Sequence, residues 1–253
     1  MGFIDVHAHL DRYPEDELPA IISNAKSAGV SIIVSSGIDN CSNRKVLEIC
    51  KKYDIVKASL GLYPPDALME EKETDALPDL DEELAFIEKN RNHIVSIGEI
   101  GLDYFNGKDK DLQKKFFIEL LNLAKKIDKP VIIHSRKAES DALDILESMQ
   151  MKKVVLHCFS GKKSLIKRAA DLGYYFSIPT NIVRAQNFQD LVKNVNINQL
   201  LTETDSPFLS PFKDRRNEPA FVVESAKKIA EIKGFELKEV ENNILMNYKN
   251  MFG

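Results

Sequence analysis

Cysteine is scarce in this chain. There are three, Cys41, Cys50 and Cys158, an odd number with no C-x-x-C pair. They supply no disulfide framework, and such usage fits a reducing compartment. Long apolar runs are also missing. The longest strongly apolar stretch, "VSIIVSSGI" at 30–38, is far shorter than the roughly 20 residues that span a bilayer. Asp5 and Asp11 stand where an export signal needs a clean apolar segment, so none is expected. Met1-Gly2 opens a myristoylation pattern, but Val6 occupies the position that requires Ser or Thr. The expectation is a cytoplasmic protein. Nor is there an excess of positive charge: the net charge of -4 argues against a broad electrostatic grip on duplex nucleic acid. A small anionic substrate held by a local cation stays open. The one basic cluster, Lys162, Lys163, Lys167 and Arg168, reads as a solvated helix face.

What the chain does have is a rhythm. Short apolar runs take turns with amphipathic ones. The apolar runs are "FIDV" (3–6), "VSIIVSS" (30–36), "IVKASLGL" (55–62), "HIVSIGEI" (93–100), "KPVIIHS" (129–135), "KVVLHCFS" (153–160), "GYYFSI" (173–178) and "QLLTETD" (199–205). Helical stretches around 18–28 and 109–127 fall between them, with Gly29 a helix end and Asp79 or Asp81 a helix start. Buried strands alternating with helices make a parallel sheet covered by helices, and eight such units in 253 residues match a (β/α)₈ TIM barrel. A doubly wound open sheet is the alternative, but no Gly-rich phosphate fingerprint opens any of the helices. No linker interrupts the pattern, so residues 1–253 are expected to be one domain. The stretch 63–80 reads as the longest loop-like insertion, and a helix over 236–250 extends the C-terminus.

Histidine is rare as well, with five in the chain, yet two of them stand in "FIDVHAHLDR" two positions apart. A strand sends residues i and i+2 to one face, so His7 and His9 point the same way. Alone, the pair is compatible with core histidines bonded to backbone. The other strand ends decide. The fourth strand ends in Glu99, the fifth in His134, the sixth in His157 and the eighth in Asp205. In (β/α)₈ barrels chemistry gathers at the C-terminal strand ends. Any one residue has a bland explanation, such as Glu99 pairing with Arg136 or His134 being a satisfied core histidine. Six together do not, because crowded unpaired carboxylates and imidazoles are costly to desolvate. Divalent cations remove that cost. Four imidazoles and two carboxylates suffice for two ions, zinc, magnesium or manganese, with one carboxylate bridging. Such a pair generates hydroxide and polarises a phosphoryl or carbonyl oxygen, and Asp205 can ligate and accept the water's proton. Metal-assisted hydrolysis is the expectation. His93, at the start of its strand, receives no role.

Six ordered blocks carry a resemblance: "FIDVHAHLD", "VSIGEIGLDYF", "KPVIIHSRKA", "VLHCFSG", "LLTETDSPFLSP" and "RRNEPAFV". They resemble the signatures of TatD-type metal-dependent deoxyribonucleases, barrels of the amidohydrolase superfamily. The resemblance implies that His7, His9, Glu99 and Asp205 hold a first metal, and that Glu99 bridges to a second held also by His134 and His157. It implies that Glu203, in the "ETDSP" block, orients the water or a ligand. It also implies that Arg216, Asn217 and Glu218, in "RNEP", shape the substrate end, a surface loop with a capping network being the alternative. Many sister families bridge their metals with a carboxylated lysine; no lysine stands at either ligand position of the fourth and fifth strands.

One block departs. Where the family commonly has G-x-H-P-H, this chain has "GLYPP" at 61–65, so Tyr63 and Pro65 replace two histidines while Gly61 and Pro64 keep the turn. Tyr63 is expected to contact substrate, or else to pack beneath the 63–80 segment. The implied activity is 3′-5′ removal of nucleotides from single-stranded DNA. Ester cleavage on aminoacylated tRNA, hydrolysis of a small amide or lactone, and a vestigial metal-binding scaffold are the competing readings.

Overall fold

The structure, a computed structural model, describes residues 2–72 and 77–253. Its eight strands lie in chain order, each parallel to its neighbours. They are β1 (Phe3–Ala8), β2 (Val30–Ser36), β3 (Val56–Leu60), β4 (Ile94–Asp103), β5 (Val131–Arg136), β6 (Val154–His157), β7 (Tyr175–Ile178) and β8 (Leu200–Thr202). Ten helices accompany them among the described residues: α1 (Leu18–Ser27), α2 (Asn40–Lys52), α3 (Pro65–Glu71), α4 (Leu80–Lys89), α5 (Lys110–Lys126), α6 (Glu139–Ser148), α7 (Lys163–Asp171), α8 (Gln186–Asn194), α9 (Val222–Lys233) and α10 (Leu237–Phe252). The architecture is the expected (β/α)₈ barrel, with α10 as the added C-terminal helix.

Local chemistry explains why the elements start and stop where they do. Asp39 caps α2 by accepting from the Ser42 N–H at 2.7 Å, Asp79 caps α4 and Asp109 caps α5. Gly29, at φ +83°, ends the α1 segment in a backbone region that costs other residues energy. Along α5, Phe116, Phe117, Leu120, Leu121 and Ala124 are buried at helical spacing against the strands. Both faces of the strands are covered: Val154, Val155 and Leu156 of β6 are wholly buried. The basic run on α7 is a solvated face, with Arg168 paired to Asp144 and Glu147 and Lys167 to Asp171.

Three boundaries differ from expectation. β4 continues four residues past Glu99, and β8 stops at Thr202, leaving Glu203 and Asp205 in the loop beyond it. The 63–80 segment is not all loop: Pro65 sits at the first turn of α3, which buries Ala67 and Leu68. Residues 73–76 of that segment, and Met1 of the myristoylation pattern, lie outside the described residues.

The ring closes between its first and last strands. Asp5 in β1 accepts from the Thr204 N–H at 2.9 Å and from its hydroxyl at 2.5 Å. The Asp205 N–H donates to the His7 carbonyl at 2.9 Å, and the His9 N–H to the Ser206 carbonyl at 2.8 Å. No helix among the described residues is long and apolar enough to cross a membrane.

Candidate metal centre

The closing seam carries the site. β1 and the residue that follows it place His7 and His9 side by side, with their Nε2 atoms 3.2 Å apart. The Nε2 of His7 lies 3.5 Å from Glu99 Oε2 and 3.6 Å from Asp205 Oδ1; for His9 both distances are 3.4 Å. Four ligand atoms set tetrahedrally at about 2.0–2.1 Å from a zinc-sized ion are separated by about 3.3–3.4 Å. The spacing in the protein fits such an ion. Glu99 turns its other oxygen to a second group, 2.9 Å from His134 Nδ1 and 3.8 Å from His157 Nε2. Three overlapping groupings of these residues can each hold a metal ion: His7, His9 and Glu99; Glu99, His134 and His157; and His7, His157 and Asp205.

Each imidazole is oriented from behind. His9 Nδ1 bonds the Ser36 carbonyl at 3.1 Å, and His7 Nδ1 the Ser36 hydroxyl at 3.1 Å. His157 Nδ1 donates to Glu203 Oε2 at 3.0 Å. His134 is reversed: its Nε2 faces Asp103 Oδ2 at 3.3 Å and the Tyr63 hydroxyl at 3.0 Å. A ring nitrogen that donates backwards leaves a lone pair at the other nitrogen, the form a metal takes. All four lone pairs then converge on Glu99 and Asp205.

The electrostatics agree with a site built for cations. Burial works against ionising Glu99, yet hydrogen bonds from His134, His7 and His9 hold it well below the usual carboxylate range. Burial likewise opposes ionised Asp205, and the His9 hydrogen bond with the His157 charge holds it low. The same carboxylates overcome burial to raise His9 well above its ordinary value, and Glu203 raises His157 to about 9. His7 goes the other way, lowered by burial and by His157. Without a metal, protons supply the positive charge these carboxylates demand.

The backbone makes room for this. Asp205 has φ +54°, a left-handed conformation that Asp tolerates better than most residues. Gly101 lies between Glu99 and Asp103, where a Cβ would sit 2.0 Å from the His134 carbonyl oxygen, so no side chain fits.

The remaining expected residues fall in three places. Glu203 is fully buried behind His157, also accepting from the Cys158 N–H at 3.0 Å and the Ser177 hydroxyl at 2.5 Å. It fixes the His157 ring. Tyr63 is buried at the rim and donates to Asp103 at 2.7 Å. Arg216 and Asn217 are not among the residues that line the cavity at the mouth. Arg216 pairs with Glu17 and covers the Tyr13 ring at 4.7 Å. Asn217 is buried, and its amide donates to the Thr180 hydroxyl and to the Thr204 and Phe208 carbonyls. It staples the loop after β8, as the capping-network alternative requires. Glu218 pairs with Arg215.

Reading the sequence missed Ser36 and Asp103 behind the histidines. It also missed Arg12, Asn106, Arg136 and Phe208, which line a cavity of about 250 Å³ together with Tyr63 and the site residues. Arg136 does not pair with Glu99; its guanidinium lies 3.9 Å from the Phe105 ring centroid. His93 is exposed at the opposite end of the barrel, at the start of β4.

Comparison with known proteins points to metal-dependent hydrolases. The family model for TatD related DNase matches residues 4–253. The human protein named Deoxyribonuclease TATDN3 is 34% identical over 260 residues, covering 100% of this chain and 95% of its own. The uncharacterized metal-dependent hydrolase YabD of Bacillus subtilis (strain 168) is 34% identical over 258 residues, covering 98% of each chain. The crystal structure of YJJV, a TatD homolog from Escherichia coli K12, superposes with a TM-score of 0.86 at 28% identity, covering 99% of this chain and 97% of that one. With one family model spanning nearly every residue and relatives matched end to end, the chain belongs to the TatD family of metal-dependent hydrolases.

Proposed function

We propose that the chain, acting as one domain, is a two-metal phosphodiesterase that removes nucleotides from the 3′ end of single-stranded DNA. The observation that carries the reading is the pair of donor groups sharing Glu99, His7 and His9 on one oxygen, with Asp205 beside them, and His134 and His157 on the other. Divalent ions held there lower the pKa of a water and polarise a phosphoryl oxygen.

The protein groups do the rest. His7, His9, His134 and His157 bind through lone pairs fixed by Ser36, Asp103 and Glu203. Asp205, kept ionised, would help hold a metal and can accept a water's proton. Arg12 and Arg136 at the mouth supply guanidiniums for phosphate in a chain that is otherwise net acidic. Tyr63 already donates its proton to Asp103, so it steadies His134 rather than protonating a leaving oxygen. The relatives named deoxyribonucleases support DNA as substrate, and a cavity of about 250 Å³ suits a strand end better than a duplex.

The test is a panel of 3′-recessed, blunt and single-stranded DNA together with aminoacylated tRNA, each with zinc, magnesium or manganese. Mononucleotides released from free 3′ ends, and lost on chelation, are the expected result. Release of the amino acid from tRNA with DNA left intact would replace the reading.

A further inference from the structure

We infer that two exposed phenylalanines on opposite rims of the mouth, Phe105 and Phe208, are stacking platforms for the nucleobases either side of the scissile phosphate. This rests on the DNA-hydrolase reading above and explains why an unpaired strand would be required.

An exposed aromatic face beside a polar cavity is available to a flat ligand. Phe105 is 60% exposed and Phe208 49% exposed. Phe105 follows β4 and Phe208 follows β8, and in an eight-stranded ring numbered in order these strands are diametrically opposed. The cavity lined by Glu99 and Asp205 opens at this end of the ring. Neither ring is a loose ornament. The Phe105 N–H donates to Asp103, the residue behind His134, at 2.8 Å. The Phe208 N–H donates to the Asp205 carbonyl at 2.9 Å, and the Phe208 carbonyl accepts from buried Asn217 at 2.6 Å. Each aromatic is thus tied through backbone to a residue that bears on the centre.

The occupant follows from what surrounds the rings. Arg136 covers one side of Phe105 at 3.9 Å and lines the cavity, so this rim offers a flat face backed by a cation. Phe208 lies 6.2 Å from the His9 ring, edge to face, and also lines the cavity. Arg12 is a second guanidinium in the lining. Flat apolar faces beside guanidiniums suit a ligand that alternates flat rings with phosphates, which is a nucleic acid strand. A protein surface or a lipid would not need rings on both sides of a narrow polar mouth. Stacking is indifferent to base identity but needs the base free of its partner, because a paired base hides its faces in the duplex. Single-strand preference without sequence preference is the outcome.

The experiment removes the ring from either side of the contact. kcat/KM is measured for a short single-stranded oligonucleotide and for copies carrying an abasic sugar at the terminal or the penultimate position. Wild type, Phe105→Ala, Phe208→Ala and Phe105→Trp are compared, with thermal melts to confirm folding, which the exposure of both residues favours. Wild type should prefer each intact base by about 5- to 150-fold, mostly through KM. Each alanine variant should lose that preference at one position, and at one only, the ratio of intact to abasic kcat/KM being the readout. Phe105→Trp should restore it. If wild type cleaves intact and abasic strands equally, or if the alanine variants keep the preference, the stacking proposal is overturned while the nuclease reading stands. If no strand is cleaved with any metal, the nuclease reading and the proposal fall together.

Discussion

Replacing Glu203 with Gln changes one atom and one charge, and the structure says where the effect should appear. Glu203 has no exposed surface and accepts three hydrogen bonds, from His157 Nδ1, the Cys158 N–H and the Ser177 hydroxyl. An amide has one oxygen for these donors. With its oxygen toward His157 and Ser177, its NH₂ meets the Cys158 N–H, donor against donor. Turned around, its NH₂ meets His157 Nδ1 and forces the tautomer whose Nε2 carries the proton and cannot bind metal. Either arrangement strands a buried polar group, at about 1–3 kcal/mol, or about 5- to 150-fold. Loss of a residue that orients a metal ligand independently suggests 10- to 100-fold in affinity. Affinity for the second ion should therefore fall by about 10- to 100-fold, read by chelator competition, while the first ion binds as before. A pH signature goes with it. His157 rises from 6.5 to about 9 in the metal-free fold, burial opposing and the Glu203 charge driving the rise. A group raised on folding contributes stability that is complete below 6.5 and disappears as pH climbs through about 9. The metal-free Gln variant should show a shallower slope, since Asp205 and Glu99 still raise His157. Unchanged affinity for both ions, with kcat down a thousandfold, would mean that Glu203 acts on the reacting water and that its assignment behind His157 is wrong.

Protein loaded with divalent ion should carry two ions per chain by metal analysis and anomalous scattering; a fully loaded sample with one ion, or none near His134 and His157, would refute the binuclear centre. Asp205→Asn should lower turnover by several orders of magnitude with the fold intact by circular dichroism, since a ligating, proton-accepting charge is gone; turnover within a few-fold of wild type would exclude that role. Tyr63→Phe removes a hydrogen bond to a carboxylate, which alone is worth about 1.5–3 kcal/mol. Asp103 keeps the Phe105 and Asn106 N–H groups and His134, so a loss of about tenfold is expected, in second-ion affinity more than in kcat. A thousandfold fall in kcat at saturating metal would place Tyr63 among the reacting groups.

Much of this centre was legible because a barrel sorts its residues by strand end, and imidazoles are too rare here to converge by accident. What was lost was lost at boundaries. Taking the fourth strand to end near Glu99 hid Asp103, although a period of two puts Glu99, Gly101 and Asp103 on one side. Its acid stood inside the block "VSIGEIGLDYF". Ser36 was invisible for a different reason: half of what it offers His7 and His9 is a backbone carbonyl, which any residue has. Pro64-Pro65 suggested loop and concealed α3, since proline at a first helical turn looks the same in sequence as proline in a turn. Asn217 sits within the polar run "KDRRNEP" but is buried, and burial of a polar side chain in a loop leaves no periodic trace.

The seam explains why residues 198 positions apart form one site. A parallel barrel is closed only when its last strand pairs with its first, and here that pairing is brief: a single backbone bridge between Ala8 and Ser206. Side chains extend it. Asp5 takes both the N–H and the hydroxyl of Thr204, and the Thr202 hydroxyl donates to the Ile4 carbonyl at 2.5 Å. Burial pushes Asp5 up to about 8, against these hydrogen bonds, so this latch is itself a buried acid beside the metal ligands. The backbone bond from Asp205 to His7 then joins a proposed ligand in the loop after β8 to a proposed ligand on β1. Closing the barrel and assembling the first donor set are therefore one structural event. An ion bridging His7, His9 and Asp205 would clamp the same seam, so binding there should stabilise the whole ring and not only the mouth.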